Sequence, residues 1–270
     1  MRRRTVVAAL LLLATAGTLS AHDMFLKPDR FFVEPGARLV VRVLNGTFSK
    51  SENAVTRDRV RDVSIAGPGG RVRLDSAAWS DRGDTSVLTV RTGESGTYVI
   101  GASTRPRDFQ LEAKAFNAYL ASDGVPDVLA ARRRDHELDR PARERYSKHV
   151  KALIQVGARR GDDFATALGY PAELVPLDNP YALGPGGTLR VRALVDGAPA
   201  ANQLVIAGGR TPSGGRIAQR STRTDSAGVA RFRLGSRGAW YVKFIHMERV
   251  AGDASIDYES KWATLTFAVR

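Results

Sequence analysis

Arg38-Leu39-Val40-Val41-Arg42-Val43-Leu44-Asn45-Gly46 sets the class of this fold. Leu39, Val41 and Val43 point one way and Arg38 and Arg42 the other, and Asn45-Gly46 ends the run. A period of two with a turn dipeptide at its end predicts a strand with one buried face and one wet face. Similar pieces follow at Val60 to Ile65, Val72 to Leu74, Thr85 to Val90 and Thr97 to Gly101, separated by Gly67-Pro68-Gly69-Gly70 and Thr92-Gly93-Glu94-Ser95-Gly96. That spacing is the signature of a β-sandwich, so residues 22–105 are read as an immunoglobulin-like unit.

The period changes in the middle third. After Asp108, a candidate N-cap, Phe109, Phe116, Tyr119 and Leu120 fall at helical spacing and Gly124 ends the run. A second helix is expected from Asp139 to Gly157, with Pro141 in its first turn and Ala142, Tyr146, His149 and Leu153 on one stripe. Between them Arg132-Arg133-Arg134-Asp135-His136-Glu137 reads as an exposed charged stretch, so residues 106–170 are expected to form a helical connector. Proline and glycine recur through residues 171–187, as in an extended linker. Strand chemistry then returns in 188–270, which is expected to form a seven-strand sandwich. On the last of these Ala263, Leu265, Phe267 and Val269 share a face, which puts Thr264 and Thr266 outside. The expectation is a mainly β chain: two immunoglobulin- or transthyretin-like sandwiches joined by a short helical segment.

Ahead of all this stands a leader. Arg2, Arg3 and Arg4 precede a short apolar run from Val6 to Ala16, and Ser20-Ala21 offers a small residue for cleavage before His22. The run falls short of the roughly 18 to 20 residues that span a bilayer, so residues 1–21 are expected to be a cleaved signal peptide and the mature protein periplasmic, without stable membrane insertion. The chain has no cysteine, so no disulfide and no lipid-anchoring thiol is available. The net charge of +13 includes the three leader arginines, and the rest is spread along the chain instead of gathered in one block. No nucleic-acid motif accompanies it, and nucleic acid is not expected as a partner.

Cleavage there would make His22 the mature amino terminus. Such a residue offers two nitrogens to one ion, its own α-amine and the near ring nitrogen, and the pair suits nickel, cobalt, copper or zinc better than magnesium or calcium. Asp23 can add a carboxylate or orient the terminus. The plainer alternative is that the cut falls there and the histidine stands in solvent. His246 lies on the strand Trp240 to Met247, on the face of Trp240, Val242 and Phe244, where an imidazole is either a ligand or a hydrogen-bonded core residue. His149 shares its stripe with Tyr146 and Leu153, flanked by Lys148 and Lys151, which favours packing over cation binding. His136 stands among arginines and acids. No histidine pair has the spacing of a hydrolytic metal site, and the Gly208-Gly209 and Ser213-Gly214-Gly215 segments read as turns, so no catalytic chemistry is expected.

Five strings, taken in order, carry a resemblance: HDMFLKP from His22, FNAYLASDGVPDVL from Phe116, RYSKHVKALIQVG from Arg145, ELVPLDNPYAL from Glu173 and YESKWATLTF from Tyr258. Together they resemble bacterial domain-of-unknown-function family 4198, whose members are described as periplasmic components of nickel or cobalt uptake. The resemblance implies a metal-binding role for His22 and Asp23 at the start and for His246, beside Met247, near the end, with His149 as a further partner. It also implies that the cation, nickel or cobalt, is passed to a metal-uptake transporter in the membrane; copper stays open on the nitrogen donors alone. Two other classes compete. A carbohydrate-binding or adhesion module would show aromatics in an exposed row, whereas Trp79, Trp240 and Trp262 sit in strand contexts that suggest cores. A copper-dependent redox enzyme would share the amino-terminal histidine but need an open copper position on a substrate face.

Overall fold

The computed structural model describes residues 22–270, and the leader expected over residues 1–21 lies outside the described residues. The fold is mainly β. Strands β1 (Asp23–Pro28), β2 (Phe32–Val33), β3 (Arg38–Gly46), β4 (Val60–Gly67), β5 (Gly70–Arg73), β6 (Trp79–Arg82), β7 (Thr85–Arg91), β8 (Gly96–Thr104) and β9 (Arg107–Leu111) come first. Two short helices follow, α1 (Ala113–Ser122) and α2 (Pro126–Arg134). The chain then runs through β10 (Ala142–Val156), β11 (Ala172–Pro176), β12 (Thr188–Val195), β13 (Ala198–Pro199), β14 (Leu204–Arg210), β15 (Arg216–Arg223), β16 (Val229–Arg233), β17 (Gly238–Arg249) and β18 (Tyr258–Val269).

Three sheets result. The largest runs β15-β14-β17-β18-β10-β8-β4-β5, with β2 and β9 pairing opposite ends of the long β10. A smaller sheet, β1-β3-β7-β6, lies on one face of it. Met24, Leu26, Leu39, Val41, Val43 and Leu88 from this sheet bury against Val63, Ile65, Ile100, Val150, Ala152 and Ile154 of the large one. A third sheet joins β11, β13 and β16 to β12 and covers the other face, where Leu174, Leu189, Val191 and Phe232 meet Leu153, Val242, Phe244, Leu265 and Phe267. In β10, therefore, even-numbered Val150, Ala152 and Ile154 serve one core while odd-numbered Leu153 serves the other. The alternation of Cβ atoms along a strand makes this division possible.

The second expected helix is a strand. Residues 147 to 156 are buried without a break, and β10 pairs in parallel with β18 from Glu144↔Tyr258 to Ala152↔Thr266. A strand covered on both faces has no polar face to mark a period of two, and the 4-3-4 spacing of Ala142, Tyr146, His149 and Leu153 was coincidence. The first helix exists but starts later, because Arg107 to Leu111 pairs with β10 before the chain turns into α1. Gly124, at φ +89°, reverses the chain after it. Arg132 is not in an exposed stretch either. It lies in α2 and is buried, donating to the Asn117 side chain at 2.9 Å and to the carbonyls of Glu137 and Arg140. The segment expected to be a helical connector thus supplies two strands of the large sheet, and the linker contains β11, which pairs with β12.

Thr264 and Thr266, expected outside, are buried against β1. Their hydroxyls donate to the carbonyls of Met24 (2.8 Å) and Leu26, which lie across the sheet-to-sheet gap. The polar face of β18 is thus a seat for β1. Among the described residues no helix is long and apolar enough to cross a membrane.

Candidate functional site

His22 and Asp23 open β1, where Asp23 pairs with Gly46 of β3, and β1 crosses the face of the large sheet carried by β10, β18 and β17. Two lysines rise from that face to meet them. Lys148 of β10 donates to the His22 carbonyl and to Asn45 Oδ1 at 3.0 Å. Lys243 of β17 makes an ion pair with Asp23 at 2.5 Å. Burial drives the Lys148 ammonium down to about 8 although Asp23, Asp123 and Glu144 favour its charge, whereas the Asp23 carboxylate outweighs the burial of Lys243 and holds it above the ordinary lysine value. The start of β1 is therefore fastened by charge as well as by its ladder.

The His22 ring is held from the other side. Its Nε2 meets the carboxylate of Glu52 in a close contact, while Nδ1 makes no hydrogen bond to a described residue. Glu52 reaches it because the chain doubles back after β3: Glu52 N–H donates to the Asn45 carbonyl at 2.9 Å and the Ser51 hydroxyl accepts from Asn45 N–H at 3.0 Å. Gly46 permits this reversal. Its φ is +158°, and a Cβ there would come within 2.6 Å of the Lys50 carbonyl.

These groups edge a cleft of about 360 Å³. Asp123, at the end of α1, enters the same cleft; burial raises its carboxyl to about 6, with Lys243 opposing and Asp23 adding to the shift. Phe25, Phe48 and Tyr241 form a three-ring floor with centroids 5.0 to 5.2 Å apart. Arg210, Arg216 and Gln219 stand on the far wall. One oxygen of Asp23, Oδ1, is buried with no partner. A ring nitrogen, an unpartnered carboxylate oxygen and further carboxylates are donors of the types that bind divalent cations. Side chains alone do not complete it: among the described residues no group of three or more His, Cys, Asp and Glu is arranged to hold an ion.

The other expected ligands are elsewhere. Lys148 and His149 are neighbours on a strand, so when Lys148 faces His22 the imidazole faces away. His149 Nδ1 bonds Ser103 Oγ at 2.9 Å and Nε2 bonds Ser147 Oγ at 3.0 Å, which occupies both ring nitrogens. Burial, with Lys261 and Arg61 nearby, lowers it to about 3. His246 is three residues from Lys243, hence on the opposite face of β17; its ring bonds Gln203 Oε1 (3.1 Å) and Glu248 (3.0 Å) and lines a different cleft beside Gly124 and Val125. The structure brings His22 and Asp23 together and leaves His149 and His246 on the other side of the sheet. Glu52, Asp123, Lys148 and Lys243 take the places near His22 that those histidines were expected to fill. Of these, Lys243 had a visible signal, a charge inside the apolar run Tyr241-Val242-Lys243-Phe244-Ile245.

The sequence profile of a domain of unknown function, DUF4198, matches residues 19–248. The chain belongs to the DUF4198 family. The match includes the whole cleft and stops before β18. Among curated proteins nothing matches this DUF4198 chain. Among solved structures it is similar, at 12% identity in each case, to a trypsin-activated α-2-macroglobulin from Escherichia coli (92% of this chain, 16% of that one, TM-score 0.24). It is also similar to a tetra-tandem repeat in the extending region of a large adhesion protein (92% and 49%, TM-score 0.24) and to a two-domain fibronectin type-III segment of chicken tenascin (88% and 95%, TM-score 0.21). The DUF4198 chain therefore spans about a sixth of the first of these structures and about half of the second.

Proposed function

We propose that the mature protein begins at His22 and carries a divalent late first-row cation, nickel, cobalt or copper, as cargo in the periplasm. The observation that carries this reading is the posture of His22. A chelate by an amino-terminal histidine uses the α-amine and Nδ1, which requires Nε2 to bear the proton. The Glu52 carboxylate at Nε2 selects that tautomer and orients the ring, the role that carboxylates behind metal-bound histidines commonly play. The Asp23 oxygen without a partner lies in the residue next to the chelate and supplies a third donor. Residues 1–21 must be removed for the amine to exist, which would make metal binding a property of the processed chain only.

His246 and His149 have no place in this reading, because both face the other side of the large sheet. Extracytoplasmic location, immunoglobulin- or transthyretin-like character of the two layered halves, and delivery to a membrane transporter for metal belong to the same proposal. They draw on the leader and on the family strings. The protein is read as a carrier and not as a catalyst. The adhesion alternative is weakened by Trp79, Trp240 and Trp262, all of which are buried.

The test is metal titration, by calorimetry and by elemental stoichiometry, of protein with an authentic His22 terminus against protein carrying one extra residue before it. One equivalent should bind to the first, and the extra residue should weaken binding by tenfold or more, about 1.4 kcal/mol. Equal affinity of the two proteins would refute the chelate.

A further inference from the structure

We infer that the cleft takes its cation as a complex with a small polycarboxylate, whose carboxylates are gripped by Arg210 and Arg216 on the wall opposite His22. This inference rests on the metal reading above and names the form of the cargo.

Arg210 and Arg216 are directly opposed in the β14–β15 ladder, so their side chains leave the same face of the sheet at the same rung. Two like charges so placed repel, and a natural pair of this kind is usually relieved by a counter-charge. None is supplied: among the described residues neither guanidinium makes an ion pair with a carboxylate, and the one side-chain hydrogen bond of the two is from Arg210 to the Gly214 carbonyl at 3.3 Å. The contrast with the cleft beside Tyr170 is instructive, since there Arg71 and Arg73 are both spent on Asp62. A planar guanidinium presents paired donors that match a carboxylate, and two side by side match a ligand with two.

The rest of the cleft agrees. A naked divalent ion would be repelled by two uncompensated arginines; one that arrives with an excess of negative charge would not. A histidine chelate uses two positions on the ion and leaves others open for carboxylate oxygens of the incoming ligand. The volume of about 360 Å³ lies in the range of small-molecule sites and exceeds what an ion and its protein donors occupy. Phe25, Phe48 and Tyr241 give the carbon skeleton a floor, and Gln219, which donates to the Tyr241 hydroxyl at 2.7 Å, fixes that ring beside the arginines. The cleft thus has an acidic, nitrogen-bearing wall for a cation and a basic wall for the anion that accompanies it.

Citrate and nickel chloride provide the test, because their effects have opposite signs under the two possibilities. If the protein binds the bare ion alone, citrate competes for nickel and weakens apparent binding; if a ternary complex forms, citrate strengthens it. Protein beginning at His22 should bind nickel at least tenfold more tightly with one equivalent of citrate than without. The variant Arg216→Gln, on the exposed edge strand, and the double variant with Arg210→Gln should lose that gain, while bare nickel, relieved of two repelling charges, binds them at least as tightly as it binds the wild type. Weakening by citrate in the wild type, or a gain that survives in the double variant, would overturn the inference while leaving the chelate intact. Loss of bare nickel binding on adding a residue before His22 reports on the chelate alone, so the two readings fail separately.

Discussion

His149 shows how a residue that looks like a ligand becomes structural. With Ser103 on one ring nitrogen and Ser147 on the other, the neutral imidazole is fully satisfied, and charging it would force a proton and its charge into a buried site beside Lys261 and Arg61. Its folded-state pKa of about 3 lies below the ordinary 6.5, so between those values the unfolded chain binds one more proton than the native one and stability falls as pH falls. Above pH 6.5 neither state is protonated and the effect vanishes. The cost at pH 4.5 should be about 2–3 kcal/mol, and His149→Gln, though less stable than wild type at pH 7.5, should lose less on acidification. Urea midpoints of both proteins at the two pH values measure it; identical acid dependence would show that His149 is not the group responsible. From the sequence, the lysines beside His149 already argued for packing. The seryl partners were not readable, since Ser103 is 46 residues away and arrives only through the sheet.

At the scale of elements, the legible parts were those with one wet face. β3 alternates cleanly because β1 and β7 hold it in a sheet with a single core side, and its Asn45-Gly46 end is where the chain doubles back toward His22. β10 hid because both its faces are buried, and what separated it from a helix was pairing with strands distant in sequence, such as that of Glu144 with Tyr258. β18 was found, but with its polar face misassigned: Thr264 and Thr266 serve β1 instead of water. Replacing both by valine keeps shape and removes two hydroxyl donors to β1 carbonyls, at about 1 kcal/mol each. The double variant should show faster amide exchange across Met24 to Lys27 than at β3 sites remote from β1, and weaker metal binding by the processed chain. Exchange raised uniformly across both layers would mean a global loss of stability and no local hold on β1.

In the whole molecule the two cores are not beads on a string. Val150, Ala152 and Ile154 of β10 lie in one core and Leu153 in the other, so neither can come apart without disturbing the strand they share. Proteins retaining a single tryptophan, Trp79 in the first core or Trp240 in the second, should therefore melt at the same temperature, whereas separate halves joined by a flexible tether would give two transitions. The shared sheet also explains why the expected ligands parted company: it stands between His22 on one face and His149 and His246 on the other. Sequence reasoning could name the histidines but not the wall that divides them. The parallel seam has one more consequence. β18 fits between β17 and β10, so during synthesis every strand made before Tyr258 folds, if it folds at all, around a missing slat. Until residues 258–269 are available, two long strands present bare hydrogen-bonding edges to each other across a gap, the geometry in which a neighbouring nascent chain can insert its own strand. A shortened chain ending at Arg249 would carry every residue that lines the cleft and still be a seed for aggregation.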